Sequence, residues 1–230
     1  YSEESKEADF VASDIRYVSQ PDFVGTEFHI SGKYDMEVRL GIPGLFNVVN
    51  ALAAVSVCSF LGLDQARISH ALENIRVNGR MEIVYTSERC TVLLDYAHNA
   101  VSMESLLSTL RDYKPKRLVC VFGCGGNRSP LRRFQMGETA GRLSDVTILT
   151  SDNPRYEKPE AILSDIEQGM KRTKGKYKII PDRREAISYA ISQAQEGDLI
   201  VVAGKGHEEY QEIEGHFYPM NEREMIENSI

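Results

Sequence analysis

The sequence predicts an α/β protein in which a mostly parallel sheet with helices on both faces fills the C-terminal part, preceded by a region of short β-strands and two helices. Three observations carry this reading. From Met81 onward, the apolar runs Val92-Leu93-Leu94, Leu118-Val119-Cys120-Val121, Val146-Thr147-Ile148-Leu149, Tyr177 to Ile180 and Leu199-Ile200-Val201-Val202 alternate with helical patterns near 101–113, 131–143, 159–172 and 183–195. Continuous apolar strands separated by amphipathic helices are what a parallel sheet covered on both faces requires. Phe10 to Leu40 instead alternates apolar and polar residues, with turn residues at Gln20-Pro21-Asp22, Gly25 and Ser31-Gly32-Lys33, the pattern of short antiparallel strands. Between the two regions, Leu45 to Leu61 reads as a helix after Pro43-Gly44, and Asp64 caps a second helix running to about Asn74. Asn78-Gly79-Arg80 breaks that pattern, which puts the expected boundary between domains 1–79 and 80–230.

The bulk composition narrows the function classes. The 230 residues are 42% hydrophobic and 27% charged, enough apolar material for a sizeable core. A formal net charge of -7 with scattered basic residues argues against a nucleic-acid binder. No apolar run approaches the roughly 20 residues of a membrane span. Four cysteines without paired zinc-type spacing suit a reducing, cytoplasmic setting, with Cys120 and Cys124 read as structural thiols. The start at Tyr1, followed by the polar, acidic stretch Ser2 to Glu7, suggests a piece of something longer. Nothing points to an obligate protein partner.

In parallel sheets, ligands gather at the carboxyl ends of the strands. Here those ends read Asp95-Tyr96-Ala97-His98, Gly123-Cys124-Gly125-Gly126-Asn127-Arg128, Thr150-Ser151-Asp152-Asn153-Pro154-Arg155 and Ala203-Gly204-Lys205-Gly206-His207-Glu208. Each piece alone has a plainer reading. The glycine loop can serve only a tight turn, Asp95 can cap the next helix, His98 can be a surface residue, and Arg155 can be a surface ion-pair partner. Their joint position on one rim makes the case for a site. An Asp-Asn-Pro turn presents its side chains rigidly, and an arginine after it offers a planar fork for a carboxylate.

The ordered strings Phe46-Asn47-Val48-Val49-Asn50-Ala51-Leu52-Ala53-Ala54, Gly79-Arg80-Met81-Glu82 and Asp95-Tyr96-Ala97-His98 resemble the Mur ligase family, parts of which folylpolyglutamate synthases share. Val121 to Gly126, Asp152-Asn153-Pro154-Arg155 and Ala203 to Gln211 resemble its MurE-type members, which attach the third residue of the peptidoglycan peptide stem. The resemblance covers nearly the whole chain from about Ala8. It implies the rear part of a central ATPase domain followed by a Rossmann-like C-terminal domain that binds an amino acid. The implied reaction uses ATP and Mg2+ to phosphorylate the carboxylate of UDP-MurNAc-L-Ala-D-Glu, whose acyl phosphate the amine of meso-diaminopimelate then attacks. By the same resemblance, Asn47 and Asn50 approach the nucleotide, Arg80 its phosphates, and Asp95 its ribose with His98 nearby. Arg128, Asp152, Asn153, Arg155, Gly204 and Glu208 hold the incoming amino acid, while Lys205 and His207 shape that loop. No catalytic nucleophile and no metal ligand is implied within this chain.

Diaminopimelate carries an amino-acid head at each end, so a selective site needs cationic forks for carboxylates and acceptors for an ammonium. Lysine lacks the distal carboxylate and would leave Arg155 unmatched; lysine-adding members typically lack arginine there. Discrimination from lost polar partners reaches about 10⁴-fold. The match also departs from the family pattern. Asn99-Ala100 stands where Thr-Pro is usual, Asn127-Arg128-Ser129-Pro130 where Asp-Arg-Asp is usual, and Arg132-Arg133 where a Lys-Arg pair is usual. No Gly-x-x-Gly-Lys-Ser/Thr phosphate loop occurs, so the chain alone is expected to be inactive as a ligase. A lysine-adding or folate-glutamating relative, a member using another diamino acid, and a non-catalytic nucleotide-binding module remain as alternatives.

Overall fold

The computed structural model describes residues 1–2, 8–20 and 23–230. Pro21 and Asp22 of the expected first turn, and most of the acidic opening stretch, lie outside the described residues. The chain forms two compact units, Tyr1–Val77 and Asn78–Ile230.

The first unit starts with an antiparallel meander of β1 (Phe10–Gln20), β2 (Phe23–Gly32) and β3 (Met36–Leu40). Alternation along β2 sends Phe28 and Ile30 into the core, while Glu27 and His29 face outward. Two helices, α1 (Leu45–Phe60) and α2 (Gln65–Asn74), close the core with Val48, Leu52 and Val55 from the first and Ile68 and Leu72 from the second. Both sets recur at helical spacing, which is why one stripe of each helix meets the sheet. The Asp64 carboxylate caps α2 by accepting from the Arg67 N–H at 3.0 Å. Gly25 is a strand residue rather than a turn: it pairs with Val18 inside β2, where the Leu40 carbonyl passes too close for a side chain.

The second unit is built on a sheet of order β4-β5-β9-β6-β7-β8. Its elements are β4 (Glu82–Thr86), β5 (Cys90–Asp95), α3 (Ala100–Asp112), β6 (Arg117–Phe122), α4 (Pro130–Leu143), β7 (Val146–Leu149), α5 (Pro159–Met170), β8 (Lys176–Ile179), α6 (Arg183–Ser192) and β9 (Asp198–Ala203). A hairpin of β10 (Tyr210–Ile213) and β11 (His216–Pro219) and a short α7 (Glu222–Glu227) complete it. Strands β5 to β9 are all parallel, and β4 pairs antiparallel with β5 at the edge.

Alternate strand residues face opposite layers. Val92, Leu94, Val119, Val121, Ile200 and Val202 pack against Ala186, Ile187 and Ala190 of α6 and Met225 and Ile226 of α7. Cys120 points the other way, its Sγ 3.9 Å from Met103 Sδ of α3. The return from β8 to β9 passes back over the sheet and inserts β9 between β5 and β6, which puts α6 on the face opposite α3. As a result β5, β9, β6 and β7, whose ends carry the polar loops, are neighbours in the sheet.

Helices α4 and α5 approach closely, with Gly137 against the Ile166 carbonyl and Gly169 against the Phe134 carbonyl. Replacing Gly137 with alanine adds about 1 kcal/mol of helix propensity but forces a methyl into that backbone, an overpacking cost of about 1–3 kcal/mol. The Gly137→Ala variant is therefore expected to unfold at lower urea concentration than the parent; an equal or higher midpoint would show that the two helices can part without loss.

Candidate active site

The site grows from four loops that leave neighbouring strands. Asp95 ends β5 and turns the chain by accepting from the N–H groups of Met81 at 2.9 Å and Ala97 at 2.7 Å. Burial pushes its carboxyl above the ordinary range, against the opposing pull of those two hydrogen bonds and of Arg80 and His98. Beyond it, Asn99 caps α3: its side chain accepts from the Ser102 N–H at 2.9 Å, and Ser102 Oγ accepts from the Asn99 N–H at 3.3 Å. This capping box accounts for Asn99-Ala100 as a helix start in place of Thr-Pro.

The glycine loop after β6 leans on the loop after β7, with the Gly126 N–H donating to the Asn153 carbonyl at 2.8 Å. Asn127 takes a left-handed conformation (φ 54°), which asparagine tolerates better than most residues, and its N–H donates to Glu157. Arg133, 2% exposed, anchors the same region. Its guanidinium reaches Glu157 Oε1 at 2.7 Å, Glu157 Oε2 at 2.8 Å and Asp165 Oδ2 at 3.0 Å.

After β7, the Asp152 carboxylate accepts through Oδ1 from the Asn153 N–H at 2.5 Å; Oδ2 takes no hydrogen bond among the described residues. Asn153 is held at both ends of its amide. Its Oδ1 accepts from Lys205 Nζ at 2.9 Å and from the Glu212 N–H at 3.0 Å, and its Nδ2 donates to Glu208 Oε2 at 3.0 Å. Since an ammonium and a backbone N–H only donate, the oxygen must face them and the NH2 must face Glu208. Arg155 is left-handed too (φ 52°) and is clasped by the hairpin: its N–H donates to the Glu212 carbonyl at 3.0 Å and its carbonyl accepts from the Glu214 N–H at 2.8 Å. Its Nε donates to Glu212 Oε2 at 2.9 Å and its Nη1 to the Gly126 carbonyl at 2.9 Å. Of the five guanidinium N–H donors, two are thus engaged among the described residues and three remain.

After β9, Lys205 is fully buried, and its ammonium also donates to Glu208 Oε2 at 3.2 Å. The other Glu208 oxygen accepts from the Tyr96 hydroxyl at 3.1 Å. Together these loops enclose a cleft of about 170 Å³. Arg128, Asp152, Asn153, Arg155, Gly204 and Glu208 all line it, and so does His98. The lining also contains Tyr96, Cys124, Arg132 and Arg133, which the sequence reading did not assign to the site. Arg128 is exposed, and the Arg132 Nε donates to the His98 carbonyl at 2.9 Å. The cleft therefore offers cations (Arg128, Arg132, Arg155) beside acceptors (Asp152 Oδ2, Glu208).

The residues assigned to the nucleotide are placed differently. Asn47 and Asn50 lie in the first unit near the start of α1, with Asn47 Nδ2 donating to the Pro43 carbonyl at 2.6 Å and Asn50 Nδ2 to Asn47 Oδ1 at 3.2 Å. Arg80 and Asp95 lie in the second unit outside the cleft lining, Arg80 with its exposed guanidinium 4.9 Å from the Tyr96 ring centroid. His207 is exposed, with its ring centroid 5.4 Å from that of Tyr96. Among the described residues no group of three or more His, Cys, Asp or Glu gathers as a metal site, and no helix is long and apolar enough to cross a membrane.

A parallel-sheet unit with a two-signed cleft at adjoining strand ends has the arrangement in which such sheets bind their ligands. Residues 79–206 match the family described as Mur ligase, glutamate ligase domain, and the chain belongs to that family. It is 46% identical over 194 residues to the UDP-N-acetylmuramoyl-L-alanyl-D-glutamate--2,6-diaminopimelate ligase of Caldanaerobacter subterraneus subsp. tengcongensis, covering 84% of this chain and 40% of that relative. The protein of the same name from Geobacillus thermodenitrificans is 48% identical over 179 residues, with 77% and 37% covered. A solved structure of such a ligase superposes with a TM-score of 0.76 at 34% identity, covering 99% of this chain and 46% of the other. A folylpolyglutamate synthase from Thermotoga maritima, 23% identical with 86% of this chain and 44% of its own covered, shares the fold at a TM-score of 0.67. The chain spans less than half the length of these relatives.

Burial pushes the Cys120 and Cys124 thiols up to about 12 and also raises Cys90, whereas Cys58 is half-buried. Thiolate chemistry needs a lowered pKa and access. Ellman's reagent at pH 8 is expected to titrate Cys58 in the folded protein and the other three thiols only after denaturation; rapid modification of Cys124 would mean the cleft floor opens.

Proposed function

We propose that this chain is the rear of the central ATP-binding domain (1–79) and the amino-acid-binding domain (80–230) of a cytoplasmic ligase that adds meso-diaminopimelate to UDP-MurNAc-L-Ala-D-Glu. The observation that carries the reading is the double polarity of the cleft. Arg155 keeps three donors in a cavity that also holds the free acceptor of Asp152 and the carboxylate of Glu208. A zwitterionic amino-acid head needs both, and a plain carboxylate or a plain amine needs only one. The names of the relatives at 46% and 48% identity support the same substrate.

In this reading Arg155 and Arg128 take the carboxylate of one head while Asp152 and Glu208 take its ammonium. Asn153 turns its NH2 toward Glu208 and so has its second N–H, not its oxygen, to offer the ligand. Gripping one head leaves the amine of the other free to attack an acyl phosphate, so the protein supplies position and charge rather than a nucleophile of its own. ATP supplies the phosphoryl group that activates the dipeptide carboxylate, and Mg2+ neutralises phosphate charge. Arg80 suits phosphate, having an exposed guanidinium that makes no hydrogen bond among the described residues. Asp95 suits a ribose diol, because each of its oxygens has taken one donor and can accept another. Asn47 and Asn50 are assigned to the nucleotide on resemblance alone. The activity proposed is that of a protein as long as the relatives; without a phosphate loop this chain alone is expected to be inactive.

Full-length protein assayed with diaminopimelate, lysine and glutamate should use the first, and equal rates with lysine would end the assignment. Losing the charge-assisted pairing of Arg155 removes about 2–3 kcal/mol. The Arg155→Gln, Glu212→Gln pair, which strands no carboxylate, should therefore raise KM for diaminopimelate on the order of 100-fold while the rate with lysine changes little.

A further inference from the structure

A buried ion pair outside the cleft ties two of its loops together. Arg183 opens α6 and Glu222 opens α7; each residue is 2% exposed and both side chains are wholly buried. The Arg183 Nε donates to Glu222 Oε1, its Nη1 to the Ser151 carbonyl at 3.1 Å and its Nη2 to the Ala203 carbonyl at 2.9 Å. Ser151 follows β7 and Ala203 ends β9, strands that are not neighbours, because β6 runs between them. One guanidinium therefore spans the end of the intervening strand. The next residues along the chain are Asp152 and Gly204, both of which line the cleft. Gly204 has φ 117°, and a Cβ there would lie 3.0 Å from Asp152 Oδ2 and 3.9 Å from Arg183 Nη2, so both groups border the space that a side chain at Gly204 would need.

We infer that Arg183, held by Glu222, is a positioning residue for the cleft: it sets the spacing of Asp152 and Gly204 and aims the Asp152 carboxylate at the ligand's ammonium. This rests on the reading of the cleft as the amino-acid site. The pair is a poor device for stability alone. Glu222 Oε2 is buried without a hydrogen-bond partner among the described residues, and burial raises the Glu222 carboxyl despite its guanidinium partner. Apolar residues of similar volume replace such pairs at little or no cost in many proteins. What an apolar pair cannot supply is two N–H donors fixed on two separate strand ends.

The test uses the full-length protein with the double variant Arg183→Met, Glu222→Leu and the single variant Arg183→Lys. The double variant is expected to stay folded, at a lower melting temperature because two carbonyls lose their donors, and to show KM for the amino acid raised at least tenfold, with KM for ATP unchanged. Arg183→Lys keeps the charge but cannot hold both carbonyls as a planar fork does, and is expected to fall between. An amino-acid KM unchanged in the double variant would overturn the proposal. If that variant does not fold, Arg183→Lys decides, and a parental KM in it overturns the proposal equally. Failure of the substrate reading is seen separately, as wild-type protein that ignores diaminopimelate; the variants are then compared on the amino acid it does use.

Discussion

The polar rim depends on a single ammonium with no exposure to water. Lys205 lies at the end of β9, and its charge would be very costly in that position without partners. It is met by Asn153 Oδ1 and Glu208 Oε2, which come from the loop after β7 and from three residues further along its own loop. In satisfying it, both partners are locked: the Asn153 amide can point only one way, and Glu208 is turned so that its second oxygen meets the Tyr96 hydroxyl of the β5 loop. Burial, and after it the negative charge of Glu208, makes the Tyr96 hydroxyl harder to ionise, and that charge followed by burial does the same for Tyr210. Three loops are thereby registered to one another by one charge, and the polarity of the cleft follows from its sign.

Arg133 and Glu157 repeat the device on the opposite flank. There the cation comes from α4 and the acid from the loop after Arg155, and the pairing holds the Glu157 carboxyl below the ordinary range. Short polar loops at strand ends have little apolar surface to bury, so hydrophobic packing cannot decide among their conformations. Charge-assisted hydrogen bonds in a low-dielectric setting can, because they depend steeply on geometry and leave an expensive unpaired group when broken. The apolar layers beneath, with Val92, Val121 and Val202 fully buried, supply the stability; the ions supply the shape.

Much of this was legible in the sequence. Four of the five parallel strands, β5, β6, β7 and β9, were legible because each is buried on both faces, whereas the edge strand β8 alternates exposed lysines with half-buried Tyr177 and Ile179; the rim was legible because strand ends in such sheets carry the polar loops. The insertion of β9 between β5 and β6 was not, since strand order depends on which edges meet and not on periodicity. Neither was the β10–β11 hairpin: β11 is exposed throughout and β10 has no fully buried residue, so no alternation marks them. The antiparallel β4 was not read either, although Ile83-Val84-Tyr85 is a strand-like run: its one buried residue is Glu82, held by the Gly79 N–H at 2.6 Å and by Arg223. Partner choice was illegible for the same reason: Glu212 and Glu222 look like surface acids until the fold brings them to Arg155 and Arg183 across 57 and 39 residues.

The hairpin illustrates how the recognition loop and a seemingly peripheral element come to need each other. With so little apolar surface of its own, a four-residue strand pair is marginal in water. Here it is docked through the loop after β7: Gln211 Nε2 donates to the Asp152 carbonyl at 2.7 Å, the Glu212 N–H to Asn153 Oδ1, and the main chains exchange hydrogen bonds on both sides of Arg155. Those bonds are also what hold Arg155 in a left-handed conformation that a non-glycine residue adopts reluctantly. Glu212 then occupies the Nε edge of the guanidinium, leaving the Nη edge for the cleft. An arginine free to swing would meet a carboxylate in many poses and lose entropy on binding; one already held at its backbone and at Nε has given up that freedom during folding. The hairpin thus turns a flexible cation into a directional one.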